Sequence, residues 1–171
     1  MKPIGTRTLH TARLTLREIR PTDAAELFAD GVLGDSMEEA ASIVGNMITY
    51  NADPYNFHWT LEYEGRAAGR IKAWEVNCVD NYVQLGYDIG ESCRNLGLMT
   101  EAVRAVSAFL LRDAGFNRVY CIVRTGNIAS LRVCEKAGMI REGVMRQHYA
   151  NPDGSYEDAV VLGLLRSDLQ G

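Results

Sequence analysis

Residues 94–99, with the sequence Arg-Asn-Leu-Gly-Leu-Met, place an arginine, an asparagine and a glycine directly before a stretch with helical periodicity. Apolar residues recur at spacings of three and four from Leu98 to Leu110, which predicts an amphipathic helix beginning near Gly97 or Leu98. The first N–H groups of a helix lack partners within it, and Gly97 has no side chain that would obstruct a ligand. This arrangement indicates a phosphate-binding loop, although an ordinary turn in which Gly97 relieves crowding fits the spacing equally well.

A second pair of polar residues, Asn127 and Ser130, lies at the start of a shorter predicted helix that ends near Gly138. Asparagine is a favoured N-cap residue, and a serine one turn into a helix commonly bonds the backbone or faces solvent. Cys134, one turn further on, is most simply a buried packing residue, although a thiol is also capable of acting as an acid. On residue type alone, structural roles are therefore favoured for all three.

Both segments resemble motifs of the GNAT acetyltransferases. Residues 94–99 are similar to the family's Arg/Gln-x-x-Gly-x-Gly/Ala loop, and residues 127–139 resemble its Asn-x-x-Ser-x-x-x-x-Glu-Lys-x-Gly-Phe motif. Residues 141–158 resemble the branch that contains the RimJ/RimL-like ribosomal-protein alanine acetyltransferases. The resemblance extends from residue 12 to about residue 168 and implies that acetyl-CoA is the cofactor.

The resemblance also implies roles for individual residues. The positions expected to contact acetyl-CoA are Tyr87, Ile89, Arg94, Asn95, Leu96, Gly97, Leu98, Met99 and Asn127. A backbone N–H near Tyr87 is expected to stabilise the oxyanion that develops during transfer. Ser130 matches the serine that is thought to steady or protonate the CoA sulfur in RimJ/RimL-like proteins, so it is the expected catalytic residue. Cys134 departs from the family pattern, because many members have a tyrosine acid at this position.

The general base and the acceptor stay open at this stage. Many relatives have a glutamate on the fourth strand, where this chain has Val83 and Gln84. The nearest acids, Asp88 and Glu75, are each more simply solvent-facing strand residues, and a chain of waters is a third alternative.

An α-amine, with a pKa of about 8, is partly neutral at cellular pH, whereas a lysine amine needs more help. A protein or peptide N-terminal amine is therefore the expected acceptor. The alternatives are a small-molecule amine (polyamine, amino acid or aminoglycoside) and a non-catalytic CoA-binding module. Residues 29–36 and 147–156 are expected to flank the acceptor.

The whole chain of 171 residues, with a formal net charge of −4, suits one domain and argues against a general nucleic-acid binder. It contains no apolar run long enough to cross a bilayer and no apolar signal-peptide core near the N-terminus, which predicts a cytoplasmic protein. The cysteines, Cys78, Cys93, Cys121 and Cys134, and the three histidines lack metal-ligand spacing, so no metal site is predicted and the thiols are expected to be reduced. The family resemblance adds homodimer formation as an expectation.

The predicted elements give the order β-α-α-β-β-β-α-β-α-β-β. Strands are predicted over residues 13–19, 57–63, 67–76, 84–89, 118–124, 139–149 and 156–165. The first two helices are predicted to begin at caps formed by Thr22 and Ser36. Residues 1–11 are predicted to be a loose N-terminal arm, and residues 12–171 one α+β acetyltransferase domain, with a mixed sheet of about seven strands and helices on both faces. The resemblance implies a mostly antiparallel sheet that opens between its fourth and fifth strands, with the acyl-CoA in the opening.

Overall fold

The computed structural model describes residues 2–170 and contains one large sheet with four α-helices over that range. The helices are α1 (Asp23–Ala29), α2 (Met37–Asn51), α3 (Leu98–Arg112) and α4 (Ile128–Lys136). The strands are β1 (Leu9–His10), β2 (Thr15–Arg17), β3 (Phe57–Tyr63), β4 (Arg66–Asn77), β5 (Tyr82–Ile89), β6 (Arg118–Arg124), β7 (Ile140–Ala150) and β8 (Tyr156–Leu165). Within residues 2–170, none of the helices combines the length and the apolarity that a membrane span requires.

The sheet opens between β5 and β6. The strand order is β1-β2-β3-β4-β5-β6-β8-β7, and all neighbours are antiparallel except β5 and β6, which are parallel and joined by α3. These two strands share only the pairs Tyr82↔Arg118, Val83↔Val119 and Gln84↔Tyr120, so the second half of β5 diverges from β6. The predicted α+β class, the mostly antiparallel sheet and its opening are therefore confirmed.

Helices cover both faces of the sheet, as predicted. On one face, Phe57, Trp59 and Leu61 of β3 join a core that includes residues of α3 and α4. On the other face, the Thr60 hydroxyl donates to a carboxylate oxygen of Asp23 in α1 at 3.1 Å. Alternation along β3 thus divides its side chains between the two layers, because successive residues of a strand point to opposite faces.

Residues 2–11 do not form the predicted loose arm, and the sheet of the described residues has eight strands rather than about seven. Residues 9–10 form β1, which pairs with β2 in antiparallel register. The Trp59 indole donates its N–H to the carbonyl of Arg7 at 2.8 Å, and the amide of Lys2 donates to the carbonyl of Ala114 at 2.6 Å. A strand of two residues is too short for a period-two pattern, which explains why it escaped sequence reasoning.

The starts of the first two helices differ in how they are capped. Ser36 caps α2 as predicted, since its Oγ accepts from the amide of Glu39 at 3.1 Å. Thr22 makes no side-chain cap, because its own backbone is already helical, with φ −66° and ψ −23°. The Asp23 carboxylate accepts from the amide of Arg20 at 2.8 Å instead.

The end of α4 follows the prediction. Gly138 has φ +99°, and the amide of Met139 donates back to the carbonyl of Cys134 at 3.0 Å. A glycine in the left-handed region satisfies the last carbonyls of a helix in this way. The turn directs the chain into β7.

Candidate active site

The N-terminus of α3 is exposed and uncapped by any side chain. Gly97 occupies the N-cap position with φ +78°, a left-handed conformation that favours glycine. Asn95, the one residue of the loop able to cap, is itself left-handed, with φ 61°, and does not cap the helix. Within residues 2–170, the amides of Leu98, Met99 and Thr100 find no hydrogen-bond acceptor. Of the two interpretations of this loop, the geometry favours an anion-binding one.

The side chains of the loop differ in what they offer a ligand. Leu98 and Met99 are buried in the core, so only their backbone N–H groups face the loop. Arg94 is exposed, and one of its guanidinium nitrogens lies 3.3 Å from a carboxylate oxygen of Glu91. The loop therefore presents backbone donors and one arginine at the surface.

A cavity of about 830 Å³ runs along this loop and the adjacent face of α4. Three of the side chains that line it are basic, namely Arg94, Arg132 and Lys136. Ile89 and Tyr87 of β5 line it as well, so strand, loop and helix meet at one cleft. A long cavity with uncapped N–H groups and a basic wall fits the pyrophosphate and phosphate groups of acetyl-CoA. Arg132 was not predicted from the sequence, although its spacing of four residues from Lys136 places both side chains on one face of the helix.

Arg13 is a further residue of the site that sequence reasoning missed. Its guanidinium donates to the carbonyl of Leu96 at 2.8 Å and to the carboxylate of Glu101 at 2.8 Å. The Thr11 hydroxyl also donates to Glu101. Burial alone would raise the pKa of Glu101, but the hydrogen bonds from Thr11 and Arg13 outweigh it and hold the pKa below its ordinary value. Arg13 thus links the N-terminal segment to the loop and pairs with the Glu101 carboxylate in the first turn of α3.

Tyr87 and Ser130 form a hydroxyl pair within the opening of the sheet. The Tyr87 Oη lies 2.8 Å from the Ser130 Oγ and also donates to the carbonyl of Ser130 at 3.1 Å. The Cys134 Sγ lies 3.1 Å from the same phenolic oxygen. Burial and the neighbouring thiols of Cys134 and Cys121 raise the pKa of Tyr87, so its hydroxyl is held in the neutral form. Sequence reasoning gave Tyr87 only a backbone role, whereas its side chain reaches the expected catalytic serine.

Asn127 and the loop before it hold Ser130 in place. The Asn127 Oδ1 accepts from the amide of Ser130 at 3.0 Å, which confirms the predicted cap, and Asn127 also lines the cavity. Glu157 accepts from the amide of Gly126 at 2.7 Å and from Arg124 at 3.0 Å. The start of α4 is therefore fixed from both sides. A direct contact between Asn127 and the cofactor stays a prediction.

A second cavity, of about 250 Å³, occupies the opening itself. Ser130 and Tyr87 line it, and so do Trp74 of β4 and Gln84 of β5. The Trp74 ring lies directly on Gly86, where a Cβ would stand 2.3 Å from two ring carbons. Glycine at this position therefore allows the indole to form one wall of the cavity.

The expected flanking segments each reach a cavity through one residue. Tyr149 lines the smaller cavity and packs under the Arg124 guanidinium at 4.4 Å from the ring centroid. Gly31, from the connection between α1 and α2, lines the larger cavity. The two segments thus line different cavities of the site.

Neither carboxylate considered as a base is free. A carboxylate oxygen of Glu75 accepts from the Tyr120 hydroxyl at 3.0 Å, and Glu75 lines neither of the two cavities. Burial and this hydrogen bond raise the pKa of Tyr120 to about 12. Asp88 lines the larger cavity but pairs with Arg70 at 2.8 Å. Asp88 therefore shares the larger cavity with Tyr87 and Ser130 but is paired with Arg70, whereas Glu75 lies outside both cavities.

Known proteins are similar to this chain in sequence. A family model described as an acetyltransferase (GNAT) domain matches residues 13–140. The Bacillus subtilis protein named "Probable N-acetyltransferase YjcK" is 36% identical over 119 residues, which cover 68% of this chain and 64% of that protein. "Putative ribosomal N-acetyltransferase YdaF" of the same organism is 30% identical over 112 residues, which cover 65% of this chain and 60% of that protein. The chain therefore spans less than two thirds of the length of these two relatives.

Solved structures share the fold over nearly the whole chain. The apo structure of RimL, a ribosomal L7/L12 alpha-N-protein acetyltransferase, superposes with a TM-score of 0.82 at 20% identity and covers 93% of this chain and 94% of that one. The same protein in complex with coenzyme A gives a TM-score of 0.79 at 19% identity, over 93% and 98% of the two chains. The fold is therefore shared with a protein whose structure has been solved in complex with coenzyme A.

Proposed function

Because the chain belongs to the GNAT acetyltransferase family, we propose that it transfers an acetyl group from acetyl-CoA to a primary amine, specifically the N-terminal amine of a protein or peptide. The observation that carries this proposal is the Tyr87–Ser130 hydroxyl pair, 2.8 Å apart, in a cavity that opens between two diverging strands. Acetyl transfer needs donor binding, a neutral amine and a proton for the leaving thiolate. The described residues offer a candidate for each requirement.

Donor binding is assigned to the N-terminus of α3 and the basic wall of the cleft. The N–H groups of Leu98, Met99 and Thr100 are directed to the pyrophosphate, with the helix dipole adding favourable potential. Arg132 and Lys136 face the same cavity and are suited to the remaining phosphate. Backbone groups of β5 near Tyr87 and Ile89 are proposed to align the pantetheine arm and to donate to the oxyanion.

The proton for the leaving sulfur is assigned to Ser130, supported by Tyr87. A serine hydroxyl that gives up its proton gains a replacement from the Tyr87 hydroxyl 2.8 Å away, whose proton turns from the Ser130 carbonyl to the Ser130 Oγ. The raised pKa of Tyr87 keeps its hydroxyl protonated into the alkaline range, where an ordinary tyrosine begins to ionise. Tyr87 of β5 thereby places a phenol close to Cys134. Many family members have a tyrosine at the position of Cys134 itself.

The nature of the acceptor follows from the shortage of a free base. Glu75 is bound to Tyr120, Asp88 to Arg70 and Glu157 to Arg124. An acceptor must therefore arrive neutral or lose its proton to water. At pH 7 about one-tenth of an α-amine is neutral, against about one in 2,500 of a lysine ε-amine. The ribosomal activity named for YdaF supports a protein N-terminus, whereas the net charge of −4 suits a small cationic amine, the second candidate.

Release of CoA thiol from acetyl-CoA, measured with two acceptor pools, tests this proposal. One pool contains short peptides with free N-termini, and the other contains polyamines, amino acids and aminoglycosides. Turnover confined to peptides, with the acetyl group located on the N-terminal nitrogen by mass spectrometry, is the expected result. Turnover confined to small amines would establish the second candidate. Binding of acetyl-CoA without turnover in either pool would leave a non-catalytic CoA-binding module.

The expected cytoplasmic location and homodimer both stay predictions. Cell fractionation and sedimentation velocity at several protein concentrations measure them directly.

A further inference from the structure

Gln84 is a buried amide at the point where the sheet begins to open. It is 6% exposed, and it belongs to the last residue pair that joins β5 to β6, opposite Tyr120. Its side chain has no hydrogen-bond partner within residues 2–170, although it lines the cavity in the opening. Its polar atoms are not among the fully enclosed ones, so the amide is open to the cavity and available to a ligand that enters it.

Gln84 and the Tyr87–Ser130 pair lie on opposite faces of β5, and the smaller cavity connects them. Side chains alternate along a strand, and Tyr87 points toward α4, where it meets Ser130. Gln84 and Gly86 consequently project from the other face, on which the Trp74 ring lies against Gly86. One cavity is lined by both sets of residues, so it passes through the sheet at the opening.

The charged groups on the Gln84 face are engaged with one another or with aromatic rings. Glu75 accepts from Tyr120, and Arg124 pairs with Glu157 while packing on Tyr149. The Lys72 ammonium lies over the Trp74 ring at 4.4 Å from its centroid. Gln84 and the Trp74 indole N–H are thus the side-chain groups at this end of the cavity without a hydrogen-bond partner in the described part of the chain, and of the two Gln84 can accept as well as donate.

We propose that Gln84 orients the acceptor, its amide oxygen accepting a hydrogen bond from the N–H of the incoming neutral amine. This inference rests on the proposed acetyl transfer. The bond aims the nitrogen lone pair through the opening toward the donor, on the side of Ser130. The new C–N bond forms as the C–S bond breaks, the electron pair goes to sulfur, and sulfur takes a proton from the Ser130–Tyr87 pair. The surplus proton on nitrogen leaves to water, and water returns a proton to the Ser130–Tyr87 pair.

Gln84 stays neutral throughout this step, which determines the class of acceptor. An amide binds an N–H without removing a proton, so Gln84 selects amines that are already neutral at the working pH. A carboxylate at the same place would instead attract ammonium groups and accept their protons. The amide therefore gives the site a preference for α-amines over lysine-type amines.

Two isosteric variants test the assignment. Gln84→Met keeps the volume and removes the hydrogen bond, and Gln84→Glu replaces the amide with a buried carboxylate. The measurements are kcat/KM for an acceptor with an α-amine and for one with a lysine-type amine, from about pH 6 to pH 10. The affinity for acetyl-CoA and the melting temperature of each variant establish that it is folded and binds the donor.

For Gln84→Met, we expect kcat/KM for the acceptor to fall about tenfold with the acetyl-CoA affinity unchanged. For Gln84→Glu, we expect a new ionisation in the acidic limb of the pH profile and a smaller preference for the α-amine. Wild-type kinetics in Gln84→Met, or a Gln84→Glu profile that matches the wild type, would overturn the role of Gln84 while leaving acetyl transfer intact. A wild-type protein that acetylates no amine would overturn the proposed function, and this inference with it.

Discussion

The Tyr87 hydroxyl lies 2.8 Å from the Ser130 hydroxyl, although the two residues are 43 positions apart in the chain. Tyr87 belongs to β5 and Ser130 to the first turn of α4, and the amide of Ser130 is held by Asn127 at 3.0 Å. The opening of the sheet makes this contact accessible, because β5 and β6 share no residue pair beyond Gln84↔Tyr120. A proton can therefore pass between strand and helix at the place where the donor is expected to lie.

Removal of either hydroxyl should slow turnover without weakening donor binding. We expect Ser130→Ala to lower kcat about a hundredfold and Tyr87→Phe about tenfold, because the serine is proposed to meet the sulfur directly. The acetyl-CoA affinity, measured by calorimetry, should change less than about twofold. The kcat of the double variant should lie within about threefold of that of Ser130→Ala, since the two hydroxyls act as one unit. Additive losses would mean that the hydroxyls act independently, and unchanged turnover in Ser130→Ala would remove it from the mechanism.

The pH dependence of kcat should lack an alkaline limb from Tyr87. Burial and the nearby thiols raise the pKa of this phenol, so it remains protonated where an ordinary tyrosine begins to ionise. At saturating substrates kcat should rise as the acceptor amine loses its proton and then stay level up to about pH 10. Activity regained on return to pH 7.5 controls for denaturation. A decline between about pH 8 and pH 10 that disappears in Tyr87→Phe would contradict this assignment.

Gly97→Val should abolish acetyl-CoA binding, and Gly65→Val provides a matched control. Both glycines have φ +78°, and a Cβ on Gly65 meets nothing within 4 Å. A valine in the left-handed region strains the backbone at either site, so both variants should lose a similar part of their free energy of unfolding. Only position 97 places the side chain before the uncapped N–H groups of α3. Equal acetyl-CoA affinities for the two variants, measured by calorimetry, would refute the phosphate-binding role of this loop.

The basic wall of the larger cavity should contribute to donor affinity in a salt-dependent way. We expect Arg132→Gln and Lys136→Gln each to raise the KM for acetyl-CoA about threefold to tenfold at low salt, with a smaller effect at 0.5 M. Arg112→Gln is the control, because Arg112 lies at the opposite end of α3 and donates to the carbonyl of Leu169. A KM that is unchanged by both substitutions, or a similar rise in Arg112→Gln, would show that the cleft does not bind the phosphates through these side chains.

Sequence reasoning located the elements of the site but not the contacts between them. The strand over residues 84–89 and the helix after Gly97 follow from local periodicity, and both are present as β5 and α3. The side-chain role of Tyr87 depends on which residue of α4 faces it, which no local pattern records. Arg13 lies 83 positions before Leu96, whose carbonyl accepts a hydrogen bond from it, and was predicted only as the first residue of a strand. Contacts of this kind depend on tertiary packing and leave no periodic signal.

Asp23 should be a main electrostatic determinant of stability in the described part of the chain. Its side chain is 3% exposed and receives two hydrogen bonds from Arg17, at 2.8 and 2.9 Å, together with one from Thr60. The arrangement fixes α1 to the sheet, and the connection that follows α1 contributes Gly31 to the larger cavity. Arg17 keeps Glu62 as a partner when the Asp23 charge is removed, so Asp23→Asn should lower the free energy of unfolding by about 2 kcal/mol at pH 7, through the loss of its charged hydrogen bonds.

Lowering the pH should weaken the same interaction in the wild-type protein by protonating Asp23. Burial raises the pKa of Asp23, but the hydrogen bonds from Arg17, Arg20 and Thr60 outweigh it and hold the pKa below the ordinary 3.8. The stabilisation is therefore complete above the ordinary value and is lost as pH falls through the lowered one. Urea unfolding between about pH 6 and pH 2 should show a steeper loss of stability below about pH 4 for the wild type than for Asp23→Asn. The exposed Asp35→Asn variant, with wild-type stability within about 0.5 kcal/mol, is the control. Parallel pH profiles for the wild type and Asp23→Asn would show that the charge on Asp23 does not stabilise the fold.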